Sequence, residues 1–206
     1  MGTALETDKP KILVLFAHPY PHLSRVNRAM ADAAAGLPHI TFHDLYEIYP
    51  DFHIDVKREQ KLLMTHDVVV MQHPFYWYSS PSLLKEWMDA VLEYGWAYGT
   101  GGDALQGKEL VQAISTGGPD EAYRNDGYNG ITMTELLRPF ERSAALCGMT
   151  YGAPFLLQGV RMKKQLEVEA HAEAYRRWLE HYPHPRNCVG CEAPDVPETD
   201  RPEVDM

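Results

Sequence analysis

Apolar residues along the chain gather in five short blocks: residues 11–17 (KILVLFA), 40–43 (ITFH), 67–72 (DVVVMQ), 109–115 (ELVQAIS) and 150–156 (TYGAPFL). The first, third and fourth are almost continuously apolar, the pattern of strands buried on both faces of a parallel sheet. The fifth is interrupted by Gly152 and Pro154, which predicts an edge strand or a bend. Between the blocks the pattern changes to spacings of three and four. Residues 24–35 open on Ser24 as a helix cap and stop before Gly36-Leu37-Pro38. Residues 55–65 bring Val56, Gln60, Leu63 and Met64 near one face, and residues 81–94 align Leu83, Leu84, Trp87, Met88 and Val91. Residues 131–147 and 163–182 complete the helical set. Strand and helix therefore alternate five times. This predicts an α/β three-layer sandwich: a five-stranded parallel sheet in the order 2-1-3-4-5, with right-handed crossovers and helices on both faces. In such a sheet a ligand sits beyond the carboxyl ends of strands one, three and four.

Composition narrows the picture. A chain of 206 residues, 45% hydrophobic and 23% charged, has the size and make-up of one globular core, expected over residues 1–182. From Pro183 to the end, Pro183, Pro185, Pro194, Pro197 and Pro202 alternate with acidic residues, which predicts a disordered extension over 183–206. The net charge of −10 and the absence of a basic run exclude a nucleic-acid binder of the usual kind. The apolar run 12–17 is too short to cross a bilayer, and the opening MGTALETDK has no basic or apolar region of a signal peptide. Three cysteines are a poor disulfide framework. A cytoplasmic location is expected.

Candidate chemistry lies in the loops after strands one, three and four. After strand one, HPYPHLSRVN lacks a glycine-rich dinucleotide turn but leads into a helix start. There His18, the side chains of Ser24 and Asn27, and the free N–H groups around Arg25 and Val26 can hold a phosphate. A plain capped helix is the competing reading. After strand three, Phe75, Tyr76, Trp77 and Tyr78 occupy consecutive loop positions. So aromatic a loop calls for a flat partner, and an isoalloxazine ring edged by backbone N–H groups satisfies it; an aromatic plug or a dimer contact is the alternative. After strand four, Ser115, Thr116, Gly117 and Gly118 offer hydroxyls and a backbone that a ligand can approach closely, and the loop that follows is long and polar.

The segments AHPYPHLSRVN, YPDFHIDVKREQ, QHPFYWYSSPSLLKEWMDAVLEYGWAYGTGGDALQGK and STGG resemble, in order and spacing, the quinone-reductase branch of flavodoxin-like proteins. Within it the chain is most similar to the ancillary flavoproteins of Kef-type glutathione-regulated potassium-efflux systems. The resemblance runs from about residue 11 to 182. It implies an FMN-binding homodimer, FAD being the larger alternative cofactor, with NAD(P)H:quinone oxidoreductase activity. It also implies a regulatory role beside a membrane potassium/proton antiporter, which would hold the protein at the inner face of the membrane. Cofactor contacts would fall on His18, Ser24, Arg25, Val26, Asn27, Phe75, Tyr76, Trp77, Tyr78, Ser115, Thr116, Gly117 and Gly118, with Tyr123 as the catalytic hydrogen-bond donor. A histidine that flanks the flavin in related enzymes is missing here, its place falling near Tyr128 and Asn129.

Other residues receive structural readings. His181, His184, Cys188 and Cys191 fall at spacings a zinc ion accepts, but a disordered tail with a spare or oxidant-responsive thiol pair is the preferred reading, and no metal site is assigned. Cys147 is expected in the core, Trp87 and Met88 in the core or at a dimer contact, and His39, His43 and His66 without a ligand role. His73 is expected to line the site without acting in it.

Overall fold

The computed structural model describes residues 9–183. The strands are β1 (Ile12–Phe16), β2 (Ile40–Asp44), β3 (Val68–Pro74), β4 (Glu109–Ser115), β5 (Thr150–Tyr151) and β6 (Phe155–Leu157). The helices are α1 (Arg25–Ala34), α2 (Leu45–Ile48), α3 (Val56–Met64), α4 (Ser82–Val91), α5 (Met133–Leu136), α6 (Arg138–Leu146) and α7 (Gln165–Glu180), with 3₁₀ turns at Pro21–Leu23 and Asp120–Tyr123. The strands pair in parallel in the order β2-β1-β3-β4-β5, and β6 also pairs with β4.

Every residue of β1 and β3 is buried, because the sheet is covered on both faces. Alternation sorts the side chains into two clusters. Leu13, Leu15, Val69 and Met71 pack with Leu63 of α3, Leu84 and Trp87 of α4 and Phe140 of α6. Ile12, Val14, Val68 and Val70 pack with Val26 and Met30 of α1 and with Tyr175, Trp178 and Leu179 of α7. The three expected layers are thus present. Helix starts follow the cap chemistry: Ser24 Oγ accepts from Asn27 N, Asp55 from Arg58 N, and Thr132 forms a reciprocal capping box with Glu135.

Three details differ from the sequence expectation. The fifth block is two strands, making six. Gly152 lies so close to β4 that a Cβ would stand 2.6 Å from Glu109 Oε1 and 2.8 Å from Val111 Cγ2. The chain leaves the sheet there, and β5 pairs with Glu109 and Leu110 while β6 pairs with Ala113, Ile114 and Ser115. The helix expected over 131–147 breaks at Leu137, just before Pro139 at the start of α6, where proline has no N–H to continue the ladder. Strand β3 runs to Pro74 rather than ending at Gln72, which places His73 inside the sheet. The proline-rich tail beyond residue 183 lies outside the described residues.

Candidate functional site

The loop after β1 is built around Asn27. Its Nδ2 donates to Ser115 Oγ at 2.8 Å and to Ser24 Oγ at 3.1 Å, tying the start of α1 to the end of β4. Gln72 Nε2 donates to the Asn27 carbonyl at 3.3 Å, while Asn27 Oδ1 is buried with no partner among the described residues. Ser24 Oγ accepts twice from Asn27, so its own proton is free to donate outward. The N–H groups of Arg25 and Val26 are the first two of the helix and have no partner within it. His18 is buried, and Tyr20 N donates to its Nδ1 at 3.0 Å, which leaves the proton on Nε2. Burial, aided by the charge on His22, pushes its pKa down to about 4. His18 is therefore a neutral donor beside a helix N-terminus. A cavity of about 300 Å³ opens next to this loop, lined by Phe16, Pro21, His22, Arg28, Asp32 and Asp44 among others.

The loop after β3 is a tight reversal. Tyr76 and Ser79 exchange two backbone hydrogen bonds, at 3.2 and 3.0 Å, and the two residues between them, Trp77 and Tyr78, have φ of 52° and 60°. Two left-handed residues in succession make a primed hairpin turn, a place normally held by Asn-Gly. Bulky aromatics there are strained by about 1 kcal/mol or more each, and such strain collects at functional sites. The strain holds Trp77 93% exposed, with Tyr76 and Tyr78 also at the surface. Phe75 is half-buried against the Tyr123 ring, edge-on at 6.1 Å, and its N–H donates to the Ser115 carbonyl at 2.8 Å. The N–H groups of Phe75 and Tyr76 are thus already engaged, contrary to a loop edged throughout by open donors.

The loop after β4 brings Ser115 and Thr116, both buried, to the same strand ends. Thr116 Oγ1 donates to the Gly118 carbonyl at 2.6 Å. Gly118 leaves room for the Tyr123 ring: a Cβ there would stand 3.3 Å from Cε2 and 3.4 Å from the hydroxyl. Burial raises the Tyr123 pKa against the opposing effect of nearby Thr116, so the phenol stays protonated and can donate. Tyr78 Oη donates to Asn129 Oδ1 at 3.1 Å, which links the second and third loops. Asn129 is held by its N–H donating to the Ala122 carbonyl at 3.0 Å, while Tyr128 points to solvent.

All of the proposed contact residues lie on these three adjoining strand ends, but their side chains are not equivalent. Val26 is in the core between sheet, α1 and α7, so only its backbone faces outward. Arg25 Nη2 donates to the Lys163 carbonyl, bracing the loop after β6. His73 does not line the site: it is fully buried, bonds to Gln112 Nε2 at 3.1 Å and lies on Phe140. His43 has a partner that its sequence neighbours did not reveal, the carboxylate of Glu59 at 2.9 Å. Trp87, Met88 and Cys147 are core residues. No group of three or more metal-ligating side chains occurs among the described residues; His181 bonds to the Arg177 carbonyl, and His184, Cys188 and Cys191 lie outside them. The sequence reading also passed over Arg161, whose guanidinium lies against Gly117. It stands in a loop with no periodic signal, more than forty residues from the glycine it covers.

These features fit a flat anionic cofactor. The buried Asn27 Oδ1 has no donor among the described residues, a Cβ at Gly118 would stand 3.3 Å from the Tyr123 ring, and the exposed aromatics Tyr76, Trp77 and Tyr78 share the strand ends with the donors of the first loop. Among the described residues no helix is long and apolar enough to cross a membrane. Residues 10–181 match the family model described as "Flavodoxin-like fold". The glutathione-regulated potassium-efflux system ancillary protein KefG of Serratia proteamaculans is 49% identical over 84% of this chain and 94% of its own length. Among solved structures, a chain reported as a thermophilic tryptophan halogenase from "Streptomycin violaceusniger" is 48% identical, with a TM-score of 0.80 over 84% of this chain and 99% of its own. The general stress protein 14 of Treponema denticola, in complex with FMN, is 44% identical, with a TM-score of 0.79 over 83% and 98%. An NADPH-quinone reductase from P. pentosaceus is 31% identical, with a TM-score of 0.74 over 82% and 97%.

Proposed function

This chain belongs to the flavodoxin-like fold family, and from that premise we propose that it binds FMN and works as a homodimeric NAD(P)H:quinone oxidoreductase. The observation that carries the reading is the strained aromatic turn at Trp77-Tyr78, tied to the loop after β4 by Tyr78 Oη donating to Asn129. The FMN-bound T. denticola protein and the P. pentosaceus quinone reductase support the cofactor and the reaction class. Bound FMN supplies the hydride chemistry, taking hydride from a nicotinamide and returning it to a quinone. The protein's part is to bind, orient and compensate charge. The N–H groups of Arg25 and Val26, Ser24 Oγ and His18 Nε2 hold the phosphate without a formal positive charge in the His18 ring. Phe75, Tyr76, Trp77 and Tyr78 wall the ring, the Gly117-Gly118 backbone donates to its polar edge together with the Ser115 hydroxyl, Thr116 fixes that loop by donating to the Gly118 carbonyl, and Tyr123 donates at the margin. The cavity beside His22 and Arg28 gives room for FAD as the larger alternative.

Purified protein carrying yellow flavin, with ping-pong oxidation of NADH or NADPH by menadione, is the expected result. Colourless protein that takes up no added FMN would sink this reading. A second role is supported by the S. proteamaculans relative named as a potassium-efflux ancillary protein. In it the chain docks on the cytoplasmic face of an antiporter. Deletion is then expected to change glutathione-gated potassium efflux; unchanged efflux and no co-purifying antiporter would remove that role and leave the enzymatic one intact.

A further inference from the structure

We propose that Arg161 is a charge-compensating residue of the flavin site, whose guanidinium stabilises the negative charge a flavin holds after accepting hydride. The inference rests on the flavin reading above and adds to it a residue from a fourth loop. Hydride brings two electrons and one proton to the ring, the nicotinamide leaves as its oxidised cation, and one negative charge remains on the pyrimidine edge. The net charge of this chain is −10, so a cation must be placed deliberately if that edge is to be balanced.

The placement is visible. The segment after β6 turns back onto the loop after β4 through Gly159 N donating to the Gly118 carbonyl at 2.7 Å and Val160 N to the Thr116 carbonyl at 3.0 Å. Gly159 makes the reversal at φ of 69°, and Met162 N closes it on the Gly159 carbonyl at 2.9 Å. Arg161 stands at the tip. Its Nε lies 3.4 Å, and its Cζ 3.7 Å, from where a Cβ on Gly117 would be. The guanidinium thus lies in van der Waals contact over Gly117, whose backbone does not have positive φ. Arg28, Arg124, Arg138 and Arg176 are each paired with a carboxylate, and Arg25 with a carbonyl. Arg161 has no ion-pair or hydrogen-bond partner among the described residues. The guanidinium is left with its donors open beside the glycine it covers.

The test is the midpoint potential of FMN bound to the full-length protein, measured by titration against a reference dye, beside the affinity for oxidised FMN. Arg161→Gln and Arg161→Met are expected to weaken binding of the reduced cofactor about tenfold relative to the oxidised one, a fall of about 30 mV for a two-electron couple. Arg161→Lys keeps the charge and is expected to retain most of the potential. A potential unchanged in Arg161→Gln, or lowered as far by Lys as by Met, would overturn the assignment, because loop packing alone weakens both redox states together. Should Arg161→Gln bind flavin too weakly for a titration, the dissociation constants of oxidised and reduced FMN, measured separately on that variant with excess cofactor, decide instead: an equal loss in both states overturns the assignment. Wild-type protein that holds no FMN overturns both this inference and the flavin reading, and is distinguished at once by its lack of colour.

Discussion

Tyr123 and Glu59 show how the same polar chemistry serves two ends. Tyr123 is half-buried, edge-on to Phe75, and beside a glycine that makes space for it, with a phenol kept protonated by burial. Tyr123→Phe removes the donor without changing the packing. A fall in kcat of about tenfold with little change in FMN affinity is expected, read by steady-state kinetics with menadione; unchanged kcat would show that the hydroxyl is a bystander. Glu59 instead is fully enclosed and accepts from His43 at 2.9 Å, Tyr49 at 2.6 Å and Trp87 at 2.8 Å. Burial alone would raise its pKa, but these three donors outweigh it and hold the carboxylate below its usual range. Glu59→Ala leaves three buried donors unmatched, and a loss of about 3 kcal/mol or more in urea unfolding is expected. Asn129 accepts from Tyr78 at 3.1 Å through an amide oxygen, a contact that does not titrate.

At the scale of elements, the turn after β3 is the test case. Replacing Trp77-Tyr78 by Asn-Gly supplies the residues that a primed turn favours, so the double variant is expected to gain about 1–2 kcal/mol of stability while binding FMN at least tenfold more weakly. A variant that is no more stable would show the turn to be unstrained. The existence of that loop and its place in the sheet were legible in the sequence, because the unbroken apolar runs of β1, β3 and β4 define a doubly covered parallel sheet and so its carboxyl edge. Its conformation was not, since left-handed φ at an aromatic residue has no compositional sign. The same division holds elsewhere. Gly152 and Pro154 announced a disturbance, but only the contact of Gly152 with Glu109 and Val111 explains why β5 and β6 are separate strands. Ser24 as a cap could be read; the bond from Asn27 to Ser115, 88 residues away, could not. His73 follows the apolar run that marks β3 in the sequence, yet the strand continues through it to Pro74, in register with Ser115, and encloses it.

The whole molecule responds to acid through its buried histidines. Burial is the main cause that lowers His18, His73 and His171 to about 4, helped by His22 for the first and by Lys163 for the last. Unfolded, each returns to about 6.5, so between these values the unfolded chain binds more protons and stability falls as pH drops. Glu59 adds to the same trend below its unfolded pKa of about 4.5, where the unfolded carboxylate protonates first. A loss of about 1–2 kcal/mol per buried ring by pH 5 is expected in urea titrations; a flat profile between pH 7 and 5 would show that these rings are protonated in place. The turn that raises Trp77 into solvent has one more consequence. Trp87 and Trp178 are enclosed and Trp96 is partly covered, so of the tryptophans only Trp77 emits from an aqueous environment. The red edge of the fluorescence spectrum therefore reports on the mouth of the site alone, and the blue edge on the core, in one unlabelled sample.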